Sequence, residues 1–220
     1  AYTAAAREAN QAVAAAPLMR RLVARLMRRG ATNRALTEAE RLAQALPDDT
    51  AASLHFADAL LMLGQPERAL ELYRQVLPTA PENLQAIAGA NAAFALLDQD
   101  TLWWSSLETL MSAGEAAEPG STLPLRLYRR LAATPTATRI HTAAGLLLLA
   151  VNRPGLVRTW LAPVLADAQA DGRIRAVAHH AAAVAAAALD EPAAEREHRQ
   201  STLSLLANPE IGQFLADRSL

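Results

Sequence analysis

The side chains able to do chemistry are few and poorly spaced for it. His55, His141, His179, His180 and His198 are the imidazole donors, and the 220-residue chain has no Cys to join them. Only His179 and His180 are adjacent, and neighbours on a helix point about 100° apart. No His-x3-His pair exists, nor a Glu at metalloprotease spacing. No metal site is expected. The lack of Cys also removes disulfides, thiolate zinc sites and thiol nucleophiles. Ser105 and Ser106 have no His or Asp within a turn. The acid pairs Asp48-Asp49 and Asp190-Glu191 lie at turns, where helix capping accounts for them. There is no Gly-rich phosphate loop and no Gly-x-Ser-x-Gly. These residues point away from an enzyme, and no cofactor is implied.

Two features suit binding rather than catalysis. Arg20, Arg21, Arg25, Arg28 and Arg29 form a basic strip. It suits an acidic partner, but a solvated face snorkelling over Ala-rich surface is the better reading. Trp103 and Trp104 stand together in a chain with 4% aromatics. Amphipathic spacing is expected to bury one and leave the other as an exposed anchor or a second packing residue.

The elements that must carry these residues follow from composition. The chain has 53 Ala and 36 Leu but 8 Val and 4 Ile, and all 21 basic residues are Arg. Ala and Leu lead the helix-propensity scale. Few β-branched and aromatic residues argue against a large sheet. At 52% apolar the chain can fill a core. A net charge of −1 gives no electrostatic footprint for nucleic acid. The longest apolar runs, 143–151 and 181–189, are nine residues each. A spanning helix needs about 20, so no membrane insertion is expected. Arg in place of every Lys, with this much Ala, suggests a GC-rich bacterial genome. The compartment stays open between periplasm and cytoplasm, in either case as a soluble chain.

Internal periodicity is the strongest signal. Gly30 and Gly64, Ala35 and Ala69, and Pro47 and Pro81 are each 34 residues apart. The stretch Leu63-Gly64-Gln65-Pro66-Glu67-Arg68-Ala69-Leu70-Glu71-Leu72-Tyr73 reads as a helix end, a tight turn and a new helix. Gly64 can close a helix in the left-handed conformation, and Pro66 suits the first helical position. Ala69 lets antiparallel helices approach, Tyr73 fills the space one turn on, and Pro81 stops the second helix. Val151-Asn152-Arg153-Pro154 and Leu189-Asp190-Glu191-Pro192 repeat the turn, since Asn and Asp tolerate the left-handed conformation.

These residues resemble the tetratricopeptide repeat, a 34-residue helix–turn–helix. Residues 50–83 match with Ala57, Gly64, Ala69, Tyr73 and Pro81 in the characteristic places. Residues 16–49 match with Gly30, Ala35 and Pro47 but depart at Val23 and Ala39. Residues 84–117 follow loosely, with Asp98 for the Gly, Trp103 for the small Ala and Glu115 for the Pro, so splayed or shifted helices are expected there. Residues 3–15, ending before Pro17, form a leading helix, either a cap or the tail of an incomplete upstream repeat. Residues 112–124 read as a loop around Gly114, Pro119, Gly120, Ser121 and Pro124, followed by a short helix over 125–133. Residues 136–173 and 174–207 read as degenerate hairpins, with Gly145 and Ala183 at the small position and Val157 and Glu195 where Ala is usual. Residues 209–218 read as a closing helix capped by Asn208. In this alignment His141 and His179 fall at a position normally filled by a large core residue. The domain division is 1–117 and 118–220.

The resemblance implies an all-α fold, a right-handed α-α superhelix (solenoid) of about five antiparallel hairpins whose first helices line a concave groove. The inward positions of that family fall on Arg20, Ala24, Met27 and Arg28, on Leu54, Asp58, Leu61 and Met62, and on Gln85, Ala88, Ala92, Ala95 and Leu96. Ala24 replaces the Asn of a carboxylate clamp, so an apolar or helical ligand is favoured. The function so implied is a non-catalytic scaffold or adaptor that binds an extended peptide or partner helix. The setting would be a bacterial multiprotein assembly in the envelope, secretion or polysaccharide export. The alternatives are a substrate-recruiting domain of a larger enzyme and a self-associating structural piece.

Overall fold

The computed structural model describes residues 2–118, 123–133 and 137–217, and among these it contains helices and no strand. The fold is an all-α helical repeat. It divides into two compact units, residues 1–99 and 100–220. The first holds α1 (Tyr2–Arg28), α2 (Thr32–Ala45), α3 (Thr50–Met62), α4 (Pro66–Val76) and α5 (Leu84–Leu96). The second holds α6 (Asp100–Glu115), α7 (Leu125–Leu131), α8 (Ala137–Ala150), α9 (Pro154–Ala166), α10 (Gly172–Ala188), α11 (Pro192–Leu206) and α12 (Pro209–Ala216).

One turn recurs in both units. Gly30, Gly64, Asp98, Asn152 and Asp190 all have positive φ, between 54° and 73°. Each left-handed residue closes the helix before it by a Schellman pair of hydrogen bonds. At Gly64 the Gln65 N–H donates to the Leu60 carbonyl at 3.0 Å and the Gly64 N–H to that of Leu61 at 3.0 Å. At Asp98 the Gln99 N–H donates to the Phe94 carbonyl at 3.0 Å, so the loss of Gly leaves this turn intact. The next helix then starts on Pro66, Pro154 or Pro192, where a missing N–H costs nothing. Asp49 and Asn83, also 34 residues apart, cap α3 and α5 by accepting from the Ala52 and Ala86 N–H groups at 3.0 Å.

Small residues set the spacing within the first unit. Ala35, Ala39, Ala57 and Ala69 are wholly buried where α1 to α4 pack as successive neighbours. Tyr73 is also wholly buried, and it lies against Gly89 of α5. A Cβ on Gly89 would fall 2.2 Å from the Tyr73 ring. In the second unit Gly145 plays this part between α8 and α9, with Leu161 Cδ2 at 2.5 Å from the missing Cβ. Ala183 is buried as expected, and Val157 is fully buried despite its size. Glu195 instead pairs with Arg199 at 2.8 Å on α11, a helix with no fully buried residue.

Three local expectations are corrected. The chain does not break before Pro17: α1 runs through it as one 27-residue helix. Val13 and Pro17 are exposed, so water can satisfy the carbonyl that loses its N–H partner. Gly114 is not in a loop but in α6, where it lets that helix approach α8; a Cβ there would meet Ala150 and Leu147 at 3.0 Å. Trp103 and Trp104 are both wholly buried, so neither is an exposed anchor. Their rings meet edge-on at 4.7 Å, Trp104 meets Phe214 of α12 at 5.2 Å, and the Arg139 guanidinium lies 5.7 Å from the Trp103 ring. With partners supplied by α12 as well as α8, adjacent residues of α6 can both be covered. The closing helix forms as expected, with Asn208 Oδ1 accepting from the Glu210 N–H at 3.0 Å. Pro119, Gly120 and Ser121 of the expected loop, Thr136 and Arg218 lie outside the described residues.

Nothing lies within 4 Å of a Cβ added to Gly64, so its requirement is conformational alone. Gly64→Ala should lose about 1 kcal/mol in urea unfolding, and Gly64→Asn less. Gly89→Ala, which meets a ring, should lose about 1–3 kcal/mol. Equal stability of Gly64→Ala and wild type would contradict the left-handed assignment.

Candidate functional site

The first helices of successive hairpins in the first unit, α1, α3 and α5, are direct neighbours. Two polar ties join them. Arg20 of α1 reaches Asp49, the cap of α3, with Nη1 3.2 Å from Oδ2. Gln85 in the first turn of α5 donates through Nε2 to Asp58 Oδ2 of α3 at 2.9 Å. The Tyr73 hydroxyl of α4 donates to Asp58 Oδ1 at 2.6 Å. One carboxylate thus joins three helices.

Asp58 as a residue is half-buried, but its carboxylate is enclosed. Burial pushes its pKa up to about 6, although the Tyr73 and Gln85 hydrogen bonds favour the charged form. Asp58 therefore takes up a proton far more readily than an exposed carboxylate.

The residues expected to line the groove fall into two sets. Leu54, Leu61, Ala88, Ala92 and Ala95 are buried at 3% exposure or less and offer no free side-chain surface. Arg20, Ala24, Met27, Asp58, Met62, Gln85 and Leu96 are half-buried, and Arg28 is exposed. The polar members are committed internally: Arg20 to Asp49, and Asp58 and Gln85 to each other. What remains towards solvent is mainly apolar, with Met27, Met62 and Leu96 prominent. Flexible thioethers suit an adaptable contact surface. Arg21, Arg25 and Arg29 are exposed on α1 beside Arg28.

A model of the tetratricopeptide repeat family matches residues 26–94. Residues 26–94 carry the tetratricopeptide repeat pattern. The matched stretch begins late in α1 and ends in α5, so it covers the tied helices α3 to α5. No curated protein sequence matches the chain. Among solved structures it is similar to MamA of Desulfovibrio magneticus RS-1, at 19% identity over 86% of this chain and 94% of that one, with a TM-score of 0.46. It is also similar to a thermophilic tetratricopeptide protein of Thermus thermophilus, at 19% identity over 92% and 97%, with a TM-score of 0.42.

Tetratricopeptide repeats mediate contacts between proteins. Ser106 donates its hydroxyl to the Trp103 carbonyl at 2.8 Å, a bond within its own helix. His141 packs 5.6 Å from the Trp160 ring, and burial holds its pKa below the usual value. His179 is 9% exposed and meets His198 with their Nδ1 atoms 3.3 Å apart. Its pKa is lowered by burial first and by the His198 and Arg175 charges next. Among the described residues no three His, Asp or Glu side chains gather to hold a metal ion. Sequence reasoning missed the joining of Asp58, Tyr73 and Gln85. Its only trace was the Tyr at a helix position facing small residues.

Two outcomes follow. The raised Asp58 pKa means that the folded state binds a proton that the unfolded state, near 3.8, releases. Asp58 should therefore add stability as pH falls from about 7 to about 4, against the opposite contribution of the half-buried His141 and the buried His179, and Asp58→Asn should remove an increment on the order of 2 kcal/mol. Chemical denaturation across that range checks it; a wild-type slope that Asp58→Asn leaves unchanged would refute it. The emission of Trp103 and Trp104, isolated by Trp→Phe replacements elsewhere, should be resistant to acrylamide.

Proposed function

We propose that the first unit is a non-catalytic protein-interaction module that binds an extended peptide or a partner helix across α1, α3 and α5. The observation that carries this reading is the direct adjacency of these three helices, tied by the Asp58–Gln85 bond. A partner running across them meets residues from each repeat in turn, and stacked helical hairpins favour this mode of recognition. Ala24, Met27, Arg28, Met62 and Leu96 supply the contact. Leu54, Leu61, Ala88 and Ala92 support it from beneath, and Arg20, Asp58 and Gln85 hold its geometry. The apolar balance of the exposed set favours a partner presenting aliphatic or aromatic side chains. Arg20 is neutralised by Asp49, which speaks against capture of a terminal carboxylate there. The chain then acts as a scaffold or adaptor in a multiprotein assembly, and Arg in place of all Lys supports a bacterial one. Among the described residues no helix is long and apolar enough to cross a membrane.

The test is affinity capture from the native cell, followed by titration of the captured protein. A Met62→Glu/Leu96→Glu variant should bind at least about tenfold more weakly, equivalent to ~1.4 kcal/mol. Glu71→Arg, on the exposed side of α4, should bind as wild type does. Reversing Arg25 and Arg29 to Glu should leave affinity and its salt dependence unchanged. Undiminished binding by a folded Met62→Glu/Leu96→Glu variant sinks the proposal.

A further inference from the structure

The second unit contains a cavity of about 550 Å³. That lies inside the ~300–1,000 Å³ range of small-molecule sites. Met111 of α6, Leu146 and Leu149 of α8, Val177 of α10 and Leu215 of α12 form much of its wall. Small residues create the space: Ala176 and Ala181 on α10, and Gly212 and Ala216 on α12.

The α12 side of the wall is held from behind. Phe214 of α12 packs against Trp104 at 5.2 Å and lies 4.5 Å beneath the Arg173 guanidinium. Arg173 is itself paired with Asp100 at 3.1 Å and with Asp171 at 2.6 Å. Ile211 occupies the space that a Cβ on Gly172 would take, 2.6 Å from its Cδ1. The short helix that walls the cavity is therefore fixed by contacts on its other faces.

The lining selects the chemistry of a ligand. Among the described residues no acidic side chain and no Arg lines the cavity. Its polar side chains are Thr202 and His180. Thr202 already donates its hydroxyl to the His198 carbonyl at 2.9 Å. His180 is exposed, so its imidazole stands at the solvent side of the cavity. Among the described residues no Phe, Tyr or Trp lines the space, which offers a flat aromatic ligand no stacking partner. Flexible aliphatic side chains and a Met conform to a flexible chain. An apolar lining of this kind favours apolar guests.

We propose that this cavity binds a single-chain aliphatic molecule ending in a hydroxyl or carboxyl group. The hydrocarbon lies between α8, α10 and α12, and the polar end meets the His180 imidazole. The site is separate from the peptide-binding face and stands or falls independently of it.

The test uses the full chain, with cis-parinaric acid as a probe whose emission rises in an apolar site. Dodecanoic acid and dodecanol, kept below self-association, should each displace it saturably at one site per chain. Leu149→Trp fills the cavity from a half-buried wall position, and Ala216→Trp fills it from an exposed one. Each should weaken displacement at least tenfold while circular dichroism reports a folded chain; either folded variant suffices. His180→Ala should weaken one or both ligands several-fold without removing probe binding. Lack of saturable displacement by wild type, or wild-type displacement by a folded cavity-filling variant, overturns the site. Unchanged affinity of His180→Ala for both ligands overturns the placement of the polar end.

Discussion

The repeat depends on one backbone constraint: a residue able to take positive φ where a helix must end and its partner begin. Among the described residues five meet it, two Gly and three Asn or Asp. A left-handed residue turns the carbonyls of the last helical turn onto the following N–H groups, so the helix closes without exposing unpaired polar groups. Pro or another good starter can then open the next helix within two residues. A reversal this tight leaves no slack, and within each unit the two helices pack side by side, α1 on α2, α3 on α4, α8 on α9 and α10 on α11. Amphipathic helices so placed cannot cover their own apolar stripes, which drives each hairpin onto its neighbours.

Close approach then becomes the second demand, and it is met differently in each place. Ala at 35, 57 and 69 suffices where helix meets helix. Gly89 and Gly145 are needed where a Tyr or Leu inserts. The Tyr73 ring brings its hydroxyl to Asp58, and Gln85 completes the pair of donors. A buried carboxylate with two neutral donors and no cation is costly when ionised, as its raised pKa records. That cost fixes the register of α3, α4 and α5 and hence the surface that the first helices present.

The turns were legible in the sequence because each is written in one or two local residue types, in the first unit at a common spacing of 34 residues. Gly30, Gly64, Asn152 and Asp190 all stood where the backbone needs them, whereas Asp98, read as a departure, takes the same left-handed conformation. Asn208 was legible for the same reason. Burial was less so, because it depends on neighbours distant in sequence. Trp103 and Trp104 are both enclosed because α12 returns to cover α6. Leu54, Leu61, Ala88 and Ala92, expected along the groove, are buried. Gly114 carries a loop residue's identity, but close approach of α8 gives it a helical role. Pro17 looked like a helix stop, and only the exposure around it explains its tolerance. The cavity of the second unit had no local signature, since five helices contribute to it.

The central claim is that the first helices of the first unit present one continuous face to a partner. Amide hydrogen exchange on the chain, free and in complex with its captured partner, tests it most directly. The account predicts slowed exchange concentrated in α1, α3 and α5, with α2 and the exposed turns of α4 unchanged. Protection confined to α2 and α4 would contradict it.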